Sequence, residues 1–177
     1  MRKRLHQKWR NQLRKAERSD LKVICQPLDA ADHKWFLDAE MEQQRTRRYR
    51  SYPAQFLLAY AAVNKGAALV YSATRDGEPV AAMLMLRHGT MATYQAGVTT
   101  PVGRTYCAHN LLLWRMMCGL QEEGGTILDL GRTDLSPGLR RFKLGTGAVT
   151  EKLAGTYWMP FWEARRSRPA EAVKAVA

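Results

Sequence analysis

Residues 68–97, ALVYSATRDGEPVAAMLMLRHGTMATYQAG, contain three strand-like runs: Ala68 to Thr74, Val80 to Arg87 and Met91 to Gly97. The segment Arg75-Asp76-Gly77-Glu78 between the first two carries the Asp-Gly pair that favours a tight hairpin, and His88-Gly89-Thr90 supplies the second reversal. Three consecutive strands joined this way predict an antiparallel meander.

Toward the C-terminus, Val98 to Thr105 is rich in Thr, Pro and Gly and predicts a loop. It leads into a long apolar helix, Ala108 to Gln121, closed by Glu122-Glu123-Gly124-Gly125. A buried strand is expected over Thr126 to Leu130, a short helix over Leu135 to Leu144 and a final strand over Val149 to Trp158. Toward the N-terminus, Gly66 ends a helix that follows Pro53 and carries Phe56, Leu57, Tyr60 and Val63 as its apolar face. Ahead of it, Asp29 is a plausible N-cap for a helix bearing Trp35, Phe36, Ala39 and Met41, which runs out between Gln43 and Ser51. Leu21 to Cys25 predicts a short strand. Leu5, Trp9, Leu13 and Ala16 recur at helical spacing, with Arg4, Lys8, Arg10, Arg14, Lys15 and Arg18 on the other faces.

At 177 residues, 46% hydrophobic and 25% charged, the chain suits one globular domain, expected over 1–163 with a basic helix at 1–19 and a frayed tail at 164–177. The net charge is +12, and residues 1–18 hold eight Lys or Arg against one Glu, so +7 of it sits on the first helix. Such an excess attracts phosphate-bearing partners or an anionic membrane surface without choosing between them. Three cysteines without a Cys-x-x-Cys pair support neither a disulfide framework nor a thiolate zinc site and fit a reducing cytosol. The opening Met-Arg-Lys-Arg-Leu-His lacks an apolar run after it, which predicts no signal peptide, and no stretch approaches the roughly 20 apolar residues of a membrane span. A cytoplasmic location follows, with attachment to the inner membrane face as a compatible variant.

The element order, helix-β-α-α-β-β-β-α-β-α-β, resembles the GNAT acyltransferase fold. That is an α/β (α+β) fold with a mixed, largely antiparallel sheet, here expected to have six to seven strands, flanked by helices and opening between its fourth and fifth strands. Lys8-Trp9-Arg10-Asn11-Gln12-Leu13-Arg14-Lys15-Ala16-Glu17-Arg18 resembles the basic helix that opens the second GNAT-like domain of the Fem-type peptidoglycan-bridge aminoacyltransferases. Asp129-Leu130-Gly131-Arg132 and Gly138-Leu139-Arg140-Arg141-Phe142-Lys143-Leu144-Gly145-Thr146-Gly147 are similar to that family's strand end and Phe-Lys-x-Gly-x-Gly segment. The resemblance covers about residues 1–160. It implies transfer of an acyl or aminoacyl group from acyl-coenzyme A or aminoacyl-tRNA to an amine, such as that of a peptidoglycan precursor. Members of that family normally have two such domains, so a homodimer or one half of a larger assembly is also implied.

Acyl transfer needs a held donor, a route for the amine proton and a group for the oxyanion. The start of the helix near Ala108 offers free N–H groups and a positive dipole end, so Gly103, Arg104, His109 and Asn110 are the donor-binding candidates. Residues Val98 to Arg104 do not reproduce the Gln/Arg-x-x-Gly-x-Gly/Ala loop of coenzyme A-dependent relatives, and an ordinary loop before a core helix is the competing explanation. By resemblance, Lys143 stabilises the transferring carbonyl or a donor phosphate; it is otherwise a surface lysine before a glycine turn. Asp129 can orient or deprotonate the amine, or it can pair with Arg132 or cap the next turn. Tyr94, Gln95 and Arg132 would line the same cleft, while Arg47 and Arg48, in Thr46-Arg47-Arg48-Tyr49-Arg50, would suit an acidic acceptor or stand as solvated charge. The four histidines lack metal-ligand spacing, so no metal is expected. A non-catalytic module for nucleic acid or an anionic surface remains the alternative from a different class.

Overall fold

The computed structural model of the chain describes residues 1–133 and 136–152. After a 3-10 turn at Arg2–Arg4 the order is α1 (Gln7–Glu17), β1 (Lys22–Pro27), α2 (Lys34–Arg47), α3 (Ala54–Val63), β2 (Ala68–Arg75), β3 (Glu78–His88), β4 (Met91–Thr99), α4 (Pro101–Thr105), α5 (Ala108–Glu122), β5 (Ile127–Asp129) and α6 (Pro137–Leu144). The described strands form one sheet in the order β1-β2-β3-β4-β5, antiparallel except for the parallel pair β4 and β5. The expected six to seven strands are therefore five among the described residues. Residues 149–152 belong to no strand, and the rest of the expected last strand lies outside the described residues, as do Leu135 and the tail at 164–177.

The meander forms as its residues dictate. Asp76 and Gly77 both have positive φ, 52° and 84°, as a primed two-residue turn requires, and they bring Arg75 opposite Glu78. β3 is central, so it is buried on both faces from Val80 to Leu86. Its Ala81, Met83 and Met85 pack with Leu5, Trp9, Leu13 and Ala16 of the N-terminal segment and with Leu112, Leu113 and Met116 of α5. Ala82, Leu84 and Leu86 pack with Phe36 and Leu37 of α2 and Leu57 of α3. Two apolar layers thus sandwich the sheet, and side-chain alternation of period two assigns the β3 residues from Ala81 to Leu86 to them in turn.

Several boundaries differ from expectation for local reasons. Asp29 caps a turn, accepting from the N–H groups of Ala31 at 2.7 Å and Asp32 at 3.1 Å, and α2 begins only at Lys34. α2 then continues through its polar stretch to Arg47 because Phe36, Leu37 and Glu40 face inward, whereas Met41 is 55% exposed. On α3 only Leu57 of the expected face is fully buried, and Val63 is 82% exposed. The segment expected as a loop contains α4, started by the Thr100 side chain accepting from Gly103 N–H at 3.1 Å. β5 is three residues long and half-exposed rather than a buried strand, since it lies at the sheet edge.

Two features of β4 position the site. Its pairing with β5 extends only from Met91 opposite Ile127 to Thr93 opposite Asp129, so Tyr94 to Thr99 have no described strand neighbour on that side. On the other side the register shifts between Leu84, opposite Ala96, and Met85, opposite Tyr94, leaving Gln95 as the extra residue of a β-bulge. The sheet therefore opens beside the bulge.

Candidate active site

The opening is bordered by the N-terminal end of α5. Gln12, Thr99, Gly103, Arg104, Cys107, His109 and Asn110 line a cavity of about 120 Å³ there, which gathers all four expected donor-binding residues. Cys107, in a left-handed conformation with φ 56°, breaks the chain between α4 and α5 and caps α5 without a side-chain hydrogen bond. Asn110 is only 5% exposed, and its amide nitrogen has no hydrogen-bond partner among the described residues. A buried unmatched donor is costly, and it marks this wall as one that a polar ligand can complete. Gly103 contributes differently than expected. A Cβ at that position would lie 2.3 Å from the Val80 carbonyl oxygen and 2.5 Å from Thr99 Oγ1, so glycine is needed for α4 to close on β3.

His109 holds the centre. Its Nε2 lies 2.9 Å from the Val98 carbonyl oxygen, a contact that requires the proton on Nε2, and its ring stands 6.2 Å from that of Phe142. Burial pulls its pKa from 6.5 down to about 4, opposed by the Val98 hydrogen bond and aided by the charges of Arg104 and Arg47. The imidazole is thus neutral at physiological pH. Because the folded value lies below the unfolded one, its contribution to stability is complete above pH 6.5 and is lost as pH falls toward about 4. The loss amounts to at most about 3 kcal/mol. His109→Gln, which retains a donor for Val98, is expected to flatten this acid-side slope in urea denaturation curves compared between pH 7 and pH 4.5.

Across the opening, the C-terminal motif forms a compact turn. Lys143 on α6 is buried, and its Nζ donates to the Arg132 carbonyl oxygen at 2.7 Å. Asp129 is exposed, and its Oδ1 accepts from Gly131 N–H at 2.7 Å, shaping the turn in which Gly131 takes a φ of 68°. A Cβ on Gly131 would lie 3.7 Å from Lys143 Nζ, so the glycine leaves room beside the ammonium group. α1 fixes this segment: Trp9 Nε1 donates to the Phe142 carbonyl at 3.1 Å, and His6 N–H donates to the Gly145 carbonyl at 2.9 Å.

The remaining candidates lie along β4 and α2. Gln95 donates to Ser51 Oγ at 3.0 Å and ties the α2–α3 connection to the bulge. The Tyr94 hydroxyl lies over Gly97, where a Cβ would approach it to 2.3 Å, and burial pushes its pKa up. Arg47 is exposed, yet its charge acts on Tyr94, Tyr49 and His109. Arg48 caps α2 in a left-handed conformation, φ 53°, and its side chain is solvent-facing; Arg132 is likewise exposed.

Sequence reasoning missed Glu40. It is 5% exposed, and its carboxylate accepts from Tyr49 Oη at 2.8 Å, Gln43 Nε2 at 3.1 Å and Gln44 Nε2 at 3.4 Å. Gln43 Nε2 also reaches the Gly97 carbonyl at 3.2 Å, which places this cluster against β4 where the sheet opens. The available signal was an acid at the three- and four-residue spacing from Leu37 and Phe36, on the apolar side of its helix.

An acetyltransferase (GNAT) domain family model matches residues 3–152. The chain belongs to that family. This GNAT domain shares its fold with the crystal structure of FemX at a TM-score of 0.67 and 14% identity, over 82% of this chain and 55% of that one. It thus spans about half the length of that relative. An aminoglycoside acetyltransferase from an uncultured soil metagenomic sample, in complex with sisomicin, superposes at a TM-score of 0.57 and 15% identity, covering 79% of the GNAT domain chain and 96% of its own. A ribosomal-protein-alanine N-acetyltransferase from Brucella melitensis biovar Abortus 2308 gives 0.57 and 14%, covering 78% and 99%. Among curated proteins none matches the sequence. Among the described residues no cluster of three or more His, Cys, Asp or Glu is placed to hold a metal, and no helix is long and apolar enough to cross a membrane.

Proposed function

We propose that this GNAT domain transfers an acyl or aminoacyl group from an activated donor to an amine. The observation that carries the reading is the cavity at the start of α5, beside the open edge of β4, with the unmatched Asn110 amide in its wall. In this reading the donor, acyl-coenzyme A or aminoacyl-tRNA, is held by Arg104, His109 and Asn110, while Gly103 keeps α4 in place. The Lys143 ammonium group stabilises the carbonyl oxygen as it becomes an oxyanion, and Asp129 holds the turn that faces it. Arg47, Arg48, Tyr94, Gln95 and Arg132 border the acceptor side, and the arginines favour an acceptor with acidic groups, for which a peptidoglycan-precursor amine is suitable.

A second feature bears on the choice of donor. Asn11, Arg14, Lys15 and Arg18 on the outer face of α1 line a groove of about 420 Å³. The Lys15 charge also acts on Cys107, so this cationic surface adjoins the donor cavity. A donor with several phosphates, above all an RNA backbone, would use both.

The test is thermal unfolding in the presence of acetyl-coenzyme A, coenzyme A or an aminoacylated RNA minihelix. A saturating donor should raise the midpoint by roughly 5–10 °C, since ligand at a hundred times its Kd adds about 2.7 kcal/mol. A shift with coenzyme A selects acyl-coenzyme A, and a shift with the minihelix alone selects aminoacyl transfer. No shift with any of the three sinks the reading.

A further inference from the structure

Glu40 is the only fully buried acidic side chain among the described residues. No lysine, arginine or histidine of the described chain lies within ion-pair distance of it. An apolar residue beside Phe36 and Leu37 would pack that position at no electrostatic cost, and a purely structural hydrogen-bonding role would be served as well by a neutral amide. Instead the chain builds a cradle of neutral donors around a carboxylate. Tyr49 and Gln44 both donate to Oε1, and Gln43 donates to Oε2. Of the four lone-pair positions on the two oxygens, three are thereby used and one, on Oε2, stays open. The Gln43 amide that occupies the other Oε2 position also holds the Gly97 carbonyl, on the part of β4 that β5 has left.

We infer that Glu40 is the proton acceptor for the attacking amine, with Tyr49 and Gln43 fixing its carboxylate beside the open stretch of β4. The inference rests on the acyl-transfer reading above. The groups facing the carboxylate are Gln43, Gln44 and Arg47 of α2, Tyr49 of the following connection and Tyr94 of β4; His109 of α5, near Arg47, is neutral. Burial raises the Glu40 pKa above the ordinary carboxylate range, while the hydrogen bonds from Tyr49, Gln43 and Gln44 and the Arg47 charge restrain the rise. A carboxylate of raised pKa is the stronger base, and burial pushes Tyr49 up to about 12, so the phenol stays a hydrogen-bond donor. In the step itself, the ammonium form of the amine yields one proton to Glu40 Oε2, and the lone pair so freed forms the N–C bond to the acyl carbon. The bond from that carbon to the donor's sulfur or ester oxygen then breaks, the leaving thiolate or alkoxide takes up the second proton from the nitrogen, and Glu40 passes its proton to water and regains its charge; a nucleophile that arrives unprotonated needs only the second transfer.

The experiment compares two small nucleophiles, ethanolamine, which is almost wholly ammonium at neutral pH, and hydroxylamine, which is already unprotonated. Each is supplied at high concentration with whichever donor raises the unfolding midpoint. Glu40→Gln is expected to bind donor as before, to slow transfer to ethanolamine by about 100-fold or more and to leave transfer to hydroxylamine within about threefold. Equal losses with both nucleophiles, or no loss with either, overturn the inference while the transferase reading stands. A wild-type protein that transfers to neither nucleophile with any donor removes the transferase reading and the role of Glu40 together. Should Glu40→Gln not fold, Tyr49→Phe takes its place. Loss of that hydrogen bond raises the Glu40 pKa, so the acid limb of the ethanolamine rate profile should move upward by about half a unit to one unit. An unmoved limb overturns the inference.

Discussion

Replacing Lys143 with methionine is expected to reduce transfer by about 100- to 1000-fold while the protein keeps its fold and its donor affinity. The magnitude is that of removing one preorganised oxyanion-stabilising group from a site sheltered from water. The fold should survive because methionine matches the length of the lysine stem, and the lost Nζ bond to the Arg132 carbonyl joins a group on an exposed residue that water can satisfy. Single-turnover rates with saturating donor are the measurement, since they separate chemistry from binding. A variant with unchanged turnover would remove Lys143 from the site and leave it as the pin that holds the Arg132 turn against α6.

The second large effect falls on stability. Gly103→Ala is expected to cost about 2–3 kcal/mol and to lower the melting midpoint by roughly 4–10 °C, because its methyl group would overlap the Val80 carbonyl oxygen. The obstacle is backbone of the central strand β3, which cannot swing aside as a side-chain tip can. Relief would push α4 outward and distort the donor cavity, so donor affinity should fall along with stability. Gly138→Ala, on α6 where an added Cβ meets nothing within 4 Å, is the control and should lower neither. Differential scanning calorimetry of both variants decides the matter.

The parts of this fold legible from sequence are those whose signals are local. The β2–β3 hairpin needed only an Asp-Gly pair between apolar runs, and the stripe Leu5, Trp9, Leu13, Ala16 needed only its spacing; both are found in place. The clustering of Gly103, Arg104, His109 and Asn110 was legible for the same reason, since they are near neighbours around one helix start. Glu40 was not legible. Its importance depends on Tyr49 folding back over it and on Gln43 reaching a carbonyl 54 residues away, and neither contact leaves a periodic trace. Asp29 and β5 were misjudged because a cap residue serves a turn as well as a helix, and an apolar run such as Thr126 to Leu130 does not reveal how little of it will find a partner. The packing requirement at Gly103 was not legible, because a glycine needed for packing and one needed for ligand approach are the same letter.

The bond from Trp9 to the Phe142 carbonyl joins positions 133 residues apart. During synthesis α1 is therefore made well before the segment it docks against. Leu5, Trp9, Leu13 and Ala16 stay only partly covered until α5 has emerged, and the groove that seats Trp9 is incomplete until α6 follows. A nascent chain in this state presents a basic, amphipathic segment with a partly covered aromatic, a surface prone to association until its partners arrive. Completion of the site is then one of the last events of folding, and it is entropically expensive because it closes most of the chain into a single loop.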